Sequence, residues 1–200
     1  MKLFQLETFI RYNQAVSILE KVRKKQESSF SELVSSRKPF GFPTTKKGNE
    51  NNFEGSIKMY GSTGTTYISP NEILTNHAWV TKYKVFIGMA YGERITKNFW
   101  VTGKSFLGHP KTCCTETYLV VGPFSNKRES ENVLSYMRTR FFRFLVLLKK
   151  NTQHATQKVY ELAPVQDFSR SWSDEDLYQK YKLNSREIAY IEEMVRPMEI

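Results

Sequence analysis

The stretch NKRESENVLSYMRTRFFRFLVLL, residues 126–148, gives the clearest secondary-structure signal in the chain. Apolar residues recur in it at intervals of three and four, which brings them onto one face of an α-helix. This face comprises Val133, Met137, Phe141, Phe144, Leu145 and Leu148. Such a face needs an apolar partner, so the sequence predicts one helix over 126–148 that packs on a core.

Short strand signals lie before this helix. Residues 56–60 and 65–68 flank the tetrapeptide GSTG at 61–64, whose composition is typical of a hairpin turn. A further strand is expected over 113–121, and we expect Gly-Pro to end it. The sequence therefore predicts an α+β fold, in which an irregular, mostly antiparallel sheet over 56–121 is braced by the long helix.

The segment 79–87 has the alternation of a half-buried strand. Lys82 and Lys84 fall on the face opposite Tyr83, Val85 and Ile87. We therefore expect both lysines to be available to a ligand. A helical turn is predicted at 70–73, and a last strand is predicted at 158–162.

Helical segments are expected at both ends of the chain. Residues 6–25 form an imperfect one-sided apolar stripe, and a short helix is expected at 30–34. Ser173 and Asn184 are predicted N-caps of two short helices, and Glu187 occupies the capping-box position of the second. The predicted organisation is an N-terminal helical segment (1–35), a recognition domain (36–165) and a C-terminal helical appendage (166–200).

Charge is distributed unevenly along the chain. Residues 1–111 contain 17 Lys and Arg against 8 Glu, residues 112–200 contain 13 against 12 acids, and the first Asp is Asp167. A basic region with so few carboxylates favours a polyanionic partner, most often nucleic acid. A basic soluble domain without such a partner is the alternative. The last 36 residues carry 8 acids and 5 bases, so we place them outside a polyanion interface.

Cations alternate with aromatic and hydroxyl-bearing residues in loops expected around 37–50, 60–65 and 88–111. Lys and Arg bind phosphates, whereas shorter polar side chains and Arg in nearby loops read bases. The phosphate-binding candidates are Arg37, Lys38, Lys46, Lys47, Lys58, Lys82, Lys84 and Lys104. The candidates placed nearer the bases are Thr63, Tyr91 and Arg94, and Tyr60 joins the set through its patch with Lys58. These residues form the predicted interface for double-stranded DNA.

Other basic or helical features are better explained by packing. Arg138, Arg140 and Arg143 do not share one helical face, so we expect their stems to lie along the helix flanks. The two C-terminal helices are reminiscent of a helix-turn-helix reader, but their acidic balance argues against that role. We interpret them as a packing appendage.

The chain lacks the sequence signatures of catalysis. It has no phosphate-binding Gly-x-x-x-x-Gly-Lys-Ser/Thr loop and no paired carboxylates with a lysine for a metal-dependent nuclease. Cys113 and Cys114 lack zinc-ligand spacing, and His77, His109 and His154 are far apart, so reduced core thiols are expected and no metal site is predicted. We predict that this chain alone is not an enzyme.

The sequence also indicates where in the cell the protein is expected. The longest dense apolar run, 141–148, is too short to cross a bilayer and contains Arg143. The N-terminus has no long apolar segment or small-residue cleavage site. A cytoplasmic protein is the expectation.

Ordered strings along nearly the whole chain resemble a known family. They are VSI (16–18), SSRKPFG (35–41), YKVFI (83–87), AYG (90–92), CCTETYLV (113–120), YMRTRFFRFL (136–145), KKNTQ (149–153), PVQDF (164–168) and MVRPM (194–198). They are similar to the C-terminal target-recognition, or specificity, region of type II restriction-modification adenine-specific DNA methyltransferases. The Asn/Asp-Pro-Pro-Tyr/Phe motif of the catalytic half of that family is absent here.

The resemblance implies a sequence-specific DNA-binding module without its own cofactor. S-adenosylmethionine and the base-flipping chemistry would belong to a catalytic methyltransferase domain or subunit, or to a fused restriction enzyme. The alternative is a protein-interaction module that docks on a catalytic subunit and binds DNA only non-specifically.

Overall fold

The structure is a computed structural model that describes residues 15–92, 98–150 and 155–198. Its α-helices in these ranges are α1 (Val16–Arg23), α2 (Lys127–Arg138), α3 (Arg140–Lys149), α4 (Asp174–Lys180) and α5 (Ser185–Met194). Its strands are β1 (Ile57–Gly61), β2 (Gly64–Ile68), β3 (Tyr83–Gly88), β4 (Phe106–Gly108), β5 (Thr112–Cys114) and β6 (Tyr118–Phe124). Short 3-10 helices span Phe30–Leu33, Pro70–Glu72, His77–Trp79 and Gln157–Tyr160. The α+β class predicted from the sequence is confirmed.

The strands form two three-stranded sheets in place of the single predicted one. The order is β2-β1-β5 in one sheet and β4-β3-β6 in the other. All neighbouring strands are antiparallel except β1 and β5, which are parallel. Two separate ladders therefore have to pack against each other, and this packing decides which side chains reach the surface.

The β1–β2 hairpin forms where the GSTG sequence predicts it. Gly61 pairs with Gly64, which leaves Ser62 and Thr63 as a two-residue turn. Gly64 has a φ of 116°, a conformation that glycine adopts without the steric cost of a Cβ atom. Local turn chemistry thus sets the register of this pair.

The sheet β4-β3-β6 lies between two hydrophobic cores. Val85 and Ile87 face a large core built mainly by the helices, whereas Phe86 faces a smaller core shared with the sheet β2-β1-β5. Successive side chains of a strand point to opposite faces, so β3 is covered on both sides. The molecule therefore has three layers, in the order helices, sheet β4-β3-β6 and sheet β2-β1-β5.

The expected continuous helix over 126–148 is wrong, because the chain breaks at Thr139. Thr139 has an extended ψ of 149°, and its hydroxyl accepts a hydrogen bond from the Phe142 amide at 3.1 Å. The Asp174 carboxylate accepts from the Arg140 and Phe141 amides at 3.0 and 2.8 Å. These acceptors satisfy the first amides of a new helix, which allows α2 and α3 to take different directions.

Two strand expectations are also corrected. The segment 113–121 forms parts of β5 and β6 in different sheets, and β6 continues through Gly122 and Pro123 to Phe124. The expected strand at 158–162 is replaced by the 3-10 helix Gln157–Tyr160, whose Val159 and Tyr160 are buried. Short apolar runs do not distinguish a strand from a buried helical turn, and packing decides between them.

The helical predictions near the ends are largely confirmed. The expected helix 30–34 is the 3-10 helix Phe30–Leu33, and the expected turn at 70–73 is Pro70–Glu72. Within the expected helix 6–25, α1 spans Val16–Arg23, and the part before residue 15 lies outside the described residues.

The two C-terminal helices have the predicted caps. Ser173 caps α4 in a capping box with Asp176, and Asn184 caps α5 with Glu187. Phe141 of α3 stacks on Tyr181 with ring centroids 4.9 Å apart, so this segment packs on the central helices. Across the described ranges, no helix has the length and apolar character needed to cross a membrane.

Candidate nucleic-acid interface

The two sheets carry the basic part of the chain. Residues 36–125 contain 11 Lys and Arg, 5 Glu and no Asp. Two of these glutamates, Glu72 and Glu116, are held by cations of the same region. The remaining cations face few carboxylates, so the surface of this half has a net positive charge.

Arg37 and Lys38 lie on a loop that Glu116 fastens to the segment between β5 and β6. The Glu116 carboxylate accepts from Arg37 Nε at 2.8 Å and from the Thr44 amide at 3.1 Å, and the Lys38 ammonium lies 4.0 Å away. The Thr44 amide and the Arg37 guanidinium hold the pKa of Glu116 below its ordinary value. The side chains of Arg37 and Lys38 remain 66% and 47% exposed, so the same contact positions two cations at the surface.

Lys46 and Lys47 are neighbours with different environments. The Lys46 ammonium lies 2.5 Å from a Glu72 carboxylate oxygen and 5.6 Å from the centre of the Phe42 ring. Hydrogen bonding to Lys46 lowers the pKa of Glu72, whose other oxygen accepts from the Ser69 amide. Lys47 is exposed. Lys47 is therefore the better placed of the two to bind a phosphate.

Lys58, Tyr60 and Thr63 follow one another along β1 and its hairpin. The Lys58 ammonium lies 5.3 Å from the centre of the half-buried Tyr60 ring, and that ring packs edge-on against Phe106. Thr63 is exposed in the turn. β1 and its turn therefore carry a cation, an aromatic ring and a hydroxyl group within six residues.

Lys84 does not belong to the interface, and this corrects its assignment as a phosphate-binding residue. Its side chain is completely buried, and its ammonium donates to the carbonyls of His109 and Thr112 and to the Thr112 hydroxyl at 3.1–3.2 Å. Burial lowers the pKa of Lys84 to about 8. The strand predicted over 79–87 begins only at Tyr83, because His77–Trp79 forms a 3-10 helix. The alternation holds within β3, but the face with Lys84 is covered by the sheet β2-β1-β5. Lys82, just before β3, is exposed.

Tyr91 and Lys104 come together through the segment 98–104. Tyr91 is half-buried and lies over Gly103, where an added Cβ would sit 3.4 Å from its ring. Lys104 is exposed, with its ammonium 5.4 Å from the centre of the Trp100 ring. Arg94, the third candidate of this region, lies outside the described residues.

Two buried cations hold this segment in place. Lys150 donates to the carbonyls of Tyr91 and Val101 at 2.9 and 2.7 Å, and Arg143 donates to those of Trp100 and Arg196 at 3.2 and 2.8 Å. The structural role expected for Arg143 is therefore observed, although it is completely buried rather than laid along a flank. Sequence reasoning missed the role of Lys150, because a lysine at a helix end is normally exposed.

Sequence reasoning also missed the contact between Arg196 and Trp100, because Arg196 lies in the C-terminal segment that was assigned to packing. Its guanidinium carbon is 5.4 Å from the centre of the Trp100 ring, on which Lys104 also lies. The bridge between Phe99 and Val195 explains this placement, because it joins the C-terminal segment to the loop before β4. No local sequence signal connects residues 99 and 195.

The cysteines have the environment of core residues. Cys113 and Cys114 are free and buried, as predicted. Burial raises the pKa of Cys113 to about 12 and raises that of Cys114 well above its ordinary value. Neither thiol has thiolate character at neutral pH, which nucleophilic catalysis requires. Within the described ranges, no group of three or more His, Cys, Asp and Glu residues is arranged to hold a metal ion.

Comparison with known protein families gives no match, and comparison with curated proteins gives no significant similarity. Function therefore has to be argued from the surface itself.

Proposed function

We propose that the chain is the sequence-specific target-recognition domain of a restriction-modification adenine-N6 DNA methyltransferase or fused restriction enzyme. It binds double-stranded DNA in the cytoplasm and contributes no catalytic residue. S-adenosylmethionine and the transfer chemistry belong to a catalytic domain or subunit that works with it. The resemblance of the strings along the chain to that family supports the assignment to this enzyme class.

The observation that carries the proposal is the set of exposed cations on the two-sheet half of the molecule. Arg37, Lys38, Lys47, Lys82 and Lys104 are exposed there. A surface built only for solubility mixes both signs of charge, whereas a DNA-binding surface places cations opposite phosphates. Thr63 in the β1–β2 turn and the half-buried Tyr91 after β3 have the chemistry for base contacts.

The test is the salt dependence of duplex binding. Lys38→Ala with Lys47→Ala removes two exposed cations and leaves the Lys46–Glu72 pair intact. Each phosphate contact contributes about 0.9 to the slope of log K against log salt, so we expect the slope to fall by about 2. Fluorescence anisotropy with random-sequence duplex at several salt concentrations measures it.

A matched control removes two exposed cations from the other half. Lys182→Ala with Arg186→Ala changes the net charge equally but alters the acidic C-terminal segment. We expect its salt slope to equal that of the wild type. Equal effects of the two double variants would show that net charge alone matters, and would contradict a defined interface.

Sequence preference separates the proposal from the protein-interaction alternative. A target-recognition domain enriches particular duplexes from a random pool in the presence of competitor DNA. A docking module binds all duplexes equally and associates with its catalytic subunit regardless of DNA sequence. Selection over several rounds, followed by sequencing of the bound pool, distinguishes the two.

A further inference from the structure

Leu74 is the most exposed large hydrophobic residue in the described part of the chain. Its exposed fraction is 64%, compared with 40% for Phe53 and 36% for Val16. A single exposed leucine is ordinary on a protein surface and needs no functional explanation. The contacts that fix the backbone at Leu74, and the exposed cations on the adjoining loop, nevertheless point to a function for this leucine.

The backbone around Leu74 is fastened to the loop that carries Arg37 and Lys38. The Pro39 carbonyl accepts two hydrogen bonds, from the Thr75 hydroxyl at 3.1 Å and from the Asn76 amide group at 2.7 Å. The Leu74 amide donates to the Phe40 carbonyl at 3.3 Å. Both lone pairs of one carbonyl are thus used to fix the position from which Leu74 projects.

Gly41 supports the leucine from below. It has a φ of 86°, and a Cβ added at this position would lie 2.6 Å from Leu74 Cβ. The leucine side chain therefore packs directly on the glycine backbone, and any other residue at 41 would displace it. The supporting surface fixes the base of Leu74 and leaves its outer part exposed to solvent.

Exposed cations lie on the loop that supports Leu74. Arg37 and Lys38 immediately precede Pro39, and their side chains are 66% and 47% exposed. Protein–protein interfaces are depleted in lysine relative to the rest of a protein surface. An exposed leucine held by a loop that carries exposed cations fits a DNA duplex, into which proteins insert apolar side chains between base pairs.

We infer that Leu74 is a wedge that inserts between adjacent base pairs of the bound duplex and kinks it. This inference rests on the proposed DNA-binding function and adds a mode of recognition to it. Steps that unstack easily, such as pyrimidine–purine steps and mispaired bases, offer the least resistance to insertion. The wedge therefore reads the deformability of the duplex, in addition to any direct contact with bases.

The experiment compares two duplexes of about 30 base pairs that differ only in a central mismatch. The full chain, Leu74→Ala, Leu74→Met and the control Phe53→Ala are titrated against each duplex by fluorescence anisotropy. Energy transfer between dyes on the two duplex ends reports bending. Circular dichroism confirms that each variant has the secondary structure of the wild type.

We expect the wild type to bind the mismatched duplex about tenfold more tightly, with increased end-to-end energy transfer. Leu74→Ala should lose the preference and the bending but keep the salt-dependent binding to the paired duplex. Leu74→Met retains an insertable apolar side chain and should restore both signals. Phe53→Ala, which removes another exposed apolar residue, should behave like the wild type.

The experiment distinguishes failure of the wedge from failure of the proposed DNA-binding function. If the wild type binds the paired duplex but shows no mismatch preference or bending, or if Leu74→Ala keeps both, the wedge is wrong and the DNA-binding function stands. If the wild type binds neither duplex at any salt concentration, the proposed function fails and the wedge fails with it.

Discussion

Lys84 is a charged residue that the sequence pattern assigned to the surface and that the structure places in the interior. Its ammonium donates to three oxygen atoms of the segment from His109 to Thr112, just ahead of and at the start of β5. Burial of an ammonium group costs free energy unless hydrogen bonds satisfy it, and these three acceptors do so. Lys84 thereby ties β3 to the neighbouring sheet.

Lys84 should give the protein a measurable dependence of stability on pH. Its pKa falls from an ordinary 10.5 to about 8 in the folded state, so the unfolded chain binds the proton more strongly between these values. The free energy of unfolding contributed by this group therefore rises as pH increases from 8 towards 10.5, by on the order of 3 kcal/mol. The raised pKa values of Cys113 and Cys114 act in the opposite direction, so the quantity to measure is the difference in free energy of unfolding between the wild type and Lys84→Met. Urea unfolding at several pH values should show that this difference increases in favour of the wild type from pH 8 towards 10.5.

The control for this measurement is Lys82→Met, two residues earlier and exposed. It removes one surface lysine and so controls for the change in net charge, and we expect its pH profile to match that of the wild type. A Lys84→Met profile that runs parallel to the wild-type profile from pH 7 to 11 would rule out a buried, titrating Lys84.

Among the elements, the junction of α2 and α3 shows how a distant residue ends a helix. The apolar periodicity continues through Thr139, and nothing in the local sequence forbids a helix there. Asp174, which is 34 residues further along the chain than Arg140, supplies the carboxylate that accepts the first amides of α3. The same residue opens α4, so it joins the starts of two helices.

Asp174→Ala should lower the free energy of unfolding by about 1–2 kcal/mol, the range for loss of an N-cap acceptor. The exposed Glu175, the next residue in the first turn of α4, provides the control. Glu175→Ala removes a carboxylate of the same turn, and we expect a change of less than about 0.5 kcal/mol. Chemical denaturation followed by circular dichroism measures both. Equal effects of the two variants would contradict a capping role for Asp174.

The segment 98–104 is a second element fixed from a distance. Asn98 and Val101 have φ values of 63° and 69°, and a β-branched residue such as Val rarely takes this conformation. Val101 is completely buried, and its carbonyl accepts from the Lys150 ammonium. Strained backbone of this kind persists only where the surroundings hold it, and here α3 and the C-terminal segment do so.

At the scale of the whole molecule, β3 and β6 join the two hydrophobic cores. Phe86 and Val120 belong to the smaller core, whereas their neighbours Val85 and Val121 belong to the larger one. Loss of either core therefore exposes one face of the same two strands. We expect the described parts of the chain to unfold as one cooperative unit.

Phe86→Ala tests this coupling. Phe86 is completely buried and contacts the rings of Tyr60, Phe106 and Tyr118, so its truncation should cost about 3–5 kcal/mol. Because the cores share strands, tryptophan fluorescence and far-ultraviolet circular dichroism should still report one coincident transition at a lower denaturant concentration. Two separate transitions, with the helical signal lost later, would show that the cores are independent.

The sequence by itself determined the features that depend on neighbouring residues. The periodicity of apolar side chains gave the α+β class, GSTG gave the hairpin, and Ser173 and Asn184 gave the starts of two helices. Helix caps and tight turns are made within a few residues, so their chemistry can be read directly. The excess of Lys and Arg over Glu in residues 36–125 can be counted in the same direct way, but which of these cations are exposed cannot.

Only the tertiary structure decided what depends on segments that are distant in sequence. It buried Lys84 beneath a second sheet, broke the long helix with the Asp174 carboxylate, and divided 113–121 between two sheets. It also fixed the segment 74–76 by hydrogen bonds to the Pro39 and Phe40 carbonyls, which no local pattern indicates. The physical reason is that burial and hydrogen-bond satisfaction are set by whichever segments meet in space, and a strand face reads the same whether water or another sheet covers it.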